Sequence, residues 1–237
     1  MPETIGTLGE WSCHRQIKHL LMSDPHYHEQ KVGKYIADIQ CGKEIIEIQS
    51  RGFYKLKPKL SYYLSEGYRV TVAYPIEEKK WLLWINPQTG EASRRCSPKK
   101  GKPADLLLEL YGIREYIPHP NLSFLSIIVE TEEIRQLGGK DGTSKKEAKR
   151  LERTPITFLR EIRYTRPEDF YSLIPPDLPE YFTVQEYETC KSLSRRGTWA
   201  AHDAVGALEA LGLAVREGKR GKAFLYHWNP TVTANGS

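Results

Sequence analysis

Asp38 and Glu47 lie in "YIADIQCGKEIIEIQS" (residues 35–50), an apolar run in which acidic side chains are costly to bury. If Gly42-Lys43 is a two-residue type II′ hairpin turn, glycine supplies the positive φ at the first central position. Cys41 then pairs with Glu44, Gln40 with Ile45, and Asp38 faces Glu47. Opposed residues hold their Cβ atoms roughly 4.5–5.5 Å apart, where like charges destabilise a sheet unless a cation lies between them. Gln49 shares the Glu47 face by period-two alternation, whereas Ile46 and Ile48 turn towards the other face and the core. The pair is a candidate site for a hard divalent cation, most plainly Mg²⁺. The plainer alternative places both carboxylates on a solvent-facing sheet surface.

Apolar spacing predicts the helices and strands around this pair. Residues 7–22 predict a helix with Trp11, Ile17, Leu20 and Leu21 on its buried stripe. Strands are predicted at 30–33, 35–41 and 44–50. A helix comes next over 51–64, with Phe53, Leu56, Leu60, Tyr63 and Leu64 at helical spacing and Pro58 tolerable only in a first turn. The β-branched and aromatic runs 68–76 and 80–86 predict two further strands, the second running into the turn "NPQTGE". A short amphipathic helix at 103–113 and a strand at 122–130 complete this part. His26 and His28 have no second cluster of ligands nearby and are expected to be solvated or structural, while Glu29 opens the first strand near the pair.

Asp38 followed by Glu47-Ile48-Gln49 across a hairpin resembles the PD-(D/E)xK nuclease superfamily, with an ExQ variant similar to its competence-protein CoiA-like branch. The resemblance covers about residues 5–90. It implies an α/β fold with a restriction-endonuclease-like α-β-β-β-α-β core and a bacterial, Mg²⁺- or Mn²⁺-dependent endonuclease acting on DNA. Catalytic positions carried over are Asp38, Glu47, Gln49 and Glu10, with Asp38 and Glu47 as metal ligands. Many nucleases of this fold pair as homodimers. The superfamily's usual lysine is Gln49 here, which can orient water but carries no charge, so Lys55, Lys57 and Lys59 on the next helix are candidate replacements.

The C-terminal region has its own signature. Thr183-Val184-Gln185-Glu186 is a capping box, "TWAAHDAVGALEALG" places Ala201, Val205, Leu208 and Leu211 on one helix face, and Gly212 stands where a left-handed C-terminal residue belongs. With the hairpin "LAVREGKRGKAFLYHW", this resembles a winged helix-turn-helix over 165–228. By position, Arg195, Arg196, Thr198 and His202 would reach DNA and Arg216, Lys219, Arg220 and Lys222 would form wing contacts, with Trp199 kept for packing. "RRCSPKKGK" (94–102) adds Arg94, Arg95, Lys99 and Lys100 in a loop able to neutralise phosphates, or simply solvated. The basic, apolar-poor stretch 138–153 predicts a mobile loop. The expected organisation is a nuclease-like domain (1–137), a basic linker (138–164), a winged helix (165–228) and a flexible tail (229–237).

Whole-chain properties bound these readings. A 237-residue chain of net charge +5 leans mildly towards nucleic acid. No apolar run approaches a membrane span, no signal peptide is evident, and four scattered cysteines fit free thiols in a reducing cytoplasm. The alternative function is a non-catalytic DNA-binding regulator that retains an inactive nuclease-like fold.

Overall fold

The hairpin carrying the two carboxylates forms as its turn residues dictate. The structure, a computed structural model, describes residues 8–195 and 197–228, with side chains described from Cys13 onward. β2 (Tyr35–Cys41) and β3 (Glu44–Ile48) pair antiparallel, with Cys41 opposite Glu44, Gln40 opposite Ile45 and Ile39 opposite Ile46. Gly42 takes φ +57°, and Lys43 is not among the left-handed residues, as a turn with glycine at its first central position requires.

Around this hairpin the chain runs α1 (Leu8–Leu21), β1 (His28–Val32), β2, β3, α2 (Lys57–Ser65) and β4 (Arg69–Ile85). β1 and β2 are antiparallel, while β4 returns parallel to β3 with Glu47 opposite Val72. Pro58 lies in the first turn of α2, where its missing amide costs nothing. The two aromatic runs expected as separate strands form β4 as one 17-residue strand. Pro75 is tolerated inside it because β3 ends opposite Ala73, leaving that side of β4 without a ladder to interrupt. β6 (Leu122–Gly138) lies parallel to β4. With β7 (Ser144–Tyr164), the seven-stranded, mixed and mainly antiparallel sheet has the order β1-β2-β3-β4-β6-β7, with β5 (Ala92–Cys96) added against β4.

Two basic stretches read as loops contain strand, the first only in part. Residues 94–96 of the 94–102 segment lie in β5, and the stretch placed in a 138–164 linker is largely β7 (Ser144–Tyr164), antiparallel to β6. β7 is an edge strand exposed along much of its length, so it needs no apolar alternation, and its lysines and arginines protect the open edge. Leu20, expected on the buried stripe of α1, is 48% exposed, whereas Ile17 is buried.

Ile17 packs on one sheet face against Ile48, Ala73, Leu125, Ile127 and Val129. Phe53, Leu60, Tyr63 and Leu106 pack on the other, each fully buried side chain contributing about 1.5–3 kcal/mol. That second cluster runs on without a break into the C-terminal region. There α4 (Val184–Thr189) and α5 (Thr198–Ala210) lead into β9 (Ala214–Arg220) and β10 (Ala223–Trp228), with β8 (Tyr181–Phe182) completing a sheet of order β8-β10-β9. The Thr183–Glu186 capping box and left-handed Gly212 are present as expected. α5 packs on α3 (Leu106–Leu110), so the C-terminal region is docked on the main sheet domain through a shared core.

Candidate active site

The pairing on either side brings Glu29, Asp38 and Glu47 to one level across β1, β2 and β3. None of the three forms a regular ladder pair there. Glu29 adopts φ +51°, a strained conformation for a residue with a Cβ. Its carboxylate accepts a 2.8 Å hydrogen bond from Lys18 Nζ.

Asp38 faces α1. Its Oδ2 accepts from the Ile48 amide at 2.8 Å and contacts His14 Nε2 at 3.2 Å, while Lys18 Nζ lies 4.0 Å from Oδ1. Burial works against the charge, but the His14 contact, the Ile48 amide and Lys18 outweigh it and hold the Asp38 carboxyl below its ordinary range. Lys18 itself is only 4% exposed, a costly position for an ammonium unless paired. His14 and Lys18 are four residues apart and share a face of α1.

Glu47 faces α2. Lys59 Nζ donates to its Oε1 and Oε2 at 2.9 and 2.8 Å, Tyr63 Oη donates to Oε1 at 3.3 Å, and Lys59 also reaches the Ile36 carbonyl at 2.6 Å. Burial and the Asp38 charge nonetheless push the Glu47 carboxyl up to about 7, against the pull of Lys59. Of the three lysines proposed to replace the motif lysine, Lys59 meets Glu47; among the described residues neither Lys55 nor Lys57 reaches either carboxylate, and Lys57 pairs with Glu115. Gln49 turns away to donate to the Arg51 carbonyl and makes no hydrogen bond to either carboxylate. The Glu10 side chain lies outside the described residues. Among the described residues no group of three or more His, Cys, Asp or Glu is placed to hold a metal ion.

The DNA-contact candidates scatter. Arg94 is paired with Glu132 at 2.7 Å, while Arg95, Lys99 and Lys100 are exposed. Arg195 pairs at 2.9 Å with Glu109, whose other oxygen accepts from the Gly52 amide. Thr198 Oγ1 donates to Glu188, Arg216 pairs with Glu209, and Arg220 with Glu186. His202, Lys219 and Lys222 are exposed, and Arg196 lies outside the described residues. Trp199, expected to pack, is 57% exposed at the start of α5, because the alanines beside it fill the buried face. His28 is structural, with Nε2 2.7 Å from the Met22 carbonyl. All four cysteines are unbonded.

A family match covers residues 11–165, from α1 to the end of β7, and is described as a domain of unknown function, DUF8091. The chain belongs to the DUF8091 family. The DUF8091 segment contains Asp38, Glu47, Lys18 and Lys59 and ends one residue after β7, so the former linker is part of the family's domain. An uncharacterized protein of Treponema pallidum (strain Nichols) is 24% identical over 229 residues, covering 96% of this chain and 88% of that protein. Its similarity therefore extends beyond the DUF8091 segment into the C-terminal region. No solved structure matches significantly. Among the described residues, no helix is long and apolar enough to cross a membrane.

Proposed function

We propose that this DUF8091 protein is a metal-dependent DNA endonuclease, with a nuclease-like core and a C-terminal winged helix. The observation that carries this reading is Lys59 on Glu47: where the motif has lost its lysine to Gln49, α2 delivers an ammonium to the same carboxylate. The order α1-β1-β2-β3-α2-β4, with β4 parallel to β3, supports it. The β9–β10 hairpin that follows α4 and α5, with β8 ahead of them paired to β10, supports the winged helix.

Asp38 and Glu47 offer the hard oxygen donors that Mg²⁺ or Mn²⁺ takes, and Mg²⁺ is commonly held by one or two carboxylates with water and substrate oxygens. Such an ion polarises a phosphate and acidifies a bound water. The chain's own groups have separate tasks. The Ile48 amide and His14 fix Asp38, Tyr63 and Lys59 fix Glu47, and Lys59 offers the cation that steadies charge on a phosphate. Incubating supercoiled plasmid with Mg²⁺ or Mn²⁺ tests this: cutting by the wild type and not by Asp38→Ala is expected.

A non-catalytic DNA-binding protein is favoured by one observation, that Lys59 already satisfies both oxygens of Glu47 without a metal. Duplex binding with no cutting in either metal would select it.

A further inference from the structure

The chain's positive charge is concentrated along the two edges of the distal half of the sheet. Residues 91–102 and 139–153 carry eleven basic and four acidic side chains, net +7, against +5 for the whole protein, so the remainder is net negative. These segments contain β5 and the first part of β7, the two edges of the distal sheet. Their tips are latched: Asn86 Nδ2 donates to the Asp141 carbonyl and Gln88 to that of Lys140, while left-handed Gly142 fits where a Cβ would lie 2.5 Å from Asn86 Oδ1.

Beside this latch, three strands send cations to one ring on a fourth. Arg95 of β5, Arg135 of β6 and Lys145 of β7 lie 5.7, 5.4 and 5.5 Å from the centre of the Trp84 indole, which is 4% exposed. Arg135 has Glu133 as its carboxylate partner; Arg95 and Lys145 make no ion pair among the described residues. Edge protection accounts for charge along the outside of β7, but not for three mutually repelling cations gathered from three strands. An anion shared by them relieves that repulsion. From Ala73, beside Ile48, to Trp84 is eleven residues of β4, or roughly 35 Å of strand. That is close to one turn of B-DNA, about 34–36 Å.

We propose that this distal end is a phosphate-gripping arm, centred on Arg95 and Lys145, that holds duplex DNA about one helical turn from Asp38 and Glu47. The proposal deepens the nuclease reading and rests on it for the substrate, but its test is separate. The full chain, in chelator, is titrated into a labelled duplex of about thirty base pairs, roughly three turns, over a range of KCl concentrations. Arg95→Gln/Lys145→Gln is expected to bind roughly tenfold more weakly, with a salt slope shallower by about 2, because each lost phosphate contact removes about 0.9. Arg95→Lys/Lys145→Arg should keep the wild-type slope, as should Lys31→Gln/Lys34→Gln, which removes equal charge from the β1–β2 hairpin. An unchanged slope in the arm variant, an equal loss in the hairpin variant, no duplex binding, or single strands binding as tightly as duplex would overturn the arm. A wild type that binds through the arm but cuts nothing in Mg²⁺ or Mn²⁺ leaves the arm standing and removes the nuclease.

Discussion

Lys59 of α2 places its ammonium 2.8 and 2.9 Å from the two carboxylate oxygens of Glu47 on β3, twelve residues earlier in the chain. The strand itself carries glutamine two residues after Glu47, so the positive charge beside this carboxylate comes from another element. A helix can supply it because Leu60, Tyr63 and Leu64 are buried in the core, and Tyr63, one turn after Lys59 on the same face, donates to Glu47 as well.

Exchanging the two positions tests that relocation. Lys59→Gln is expected to lower cleavage by roughly 10²-fold, the size of losing one preorganised electrostatic group. Gln49→Lys in the same background should recover part of the loss. Rates on one oligonucleotide for the single and double variants decide; no recovery, with folding intact by circular dichroism, counts against the relocated lysine.

Removing the cation should also show in stability. Lys59→Met leaves Glu47 buried without its ammonium, at a cost of about 3 kcal/mol when the carboxylate is charged. Adding Glu47→Gln should restore most of it. Urea unfolding of the two variants and the wild type gives the coupling directly.

The same carboxyl makes stability depend on pH. Glu47 is raised from its ordinary 4.5 to about 7. Within that window the folded protein keeps a proton that the unfolded chain has released. The contribution is therefore complete below about pH 4.5 and is lost as the pH rises towards 7. Comparing wild type with Glu47→Gln from about pH 4.5 to about pH 8 isolates it. The wild type should lose stability relative to the variant across the window, and parallel curves would show that Glu47 titrates normally.

Gly206 reports on how the C-terminal region is seated. A Cβ there would lie 2.5 Å from Tyr111 Cε2, so Gly206→Ala forces α5 away from the 111–113 turn. A loss of about 1–3 kcal/mol is expected, as for other overpacked contacts. Thermal melting measures it; a neutral substitution would mean that the Tyr111 ring moves aside freely.

Features set by local chemistry were legible in the sequence. The Gly42 turn fixed the hairpin register, Pro58 marked the start of α2, and Thr183, Glu186 and Gly212 marked helix ends in the C-terminal region. Features that depend on tertiary contacts were not. β7 lacks apolar alternation because it is an exposed edge, so its charges resemble a loop, and the continuity of β4 depends on β6 alongside it. The contribution of α1 was hidden differently. His14 and Lys18 have helical spacing that is visible in the sequence, but nothing local shows that a lysine will be buried against Glu29 and Asp38.

If the nuclease reading holds, Asp38 and Glu47 together bind a divalent cation without which the chain cuts no DNA. Calorimetric titration of Mn²⁺ into the wild type, Asp38→Ala and Glu47→Gln, beside plasmid cleavage by the same preparations, is the sharpest test. Binding and cutting in the wild type, and the loss of both in each variant, are expected. Cleavage that survives in Asp38→Ala, or Mn²⁺ binding that neither substitution weakens, would refute the metal site.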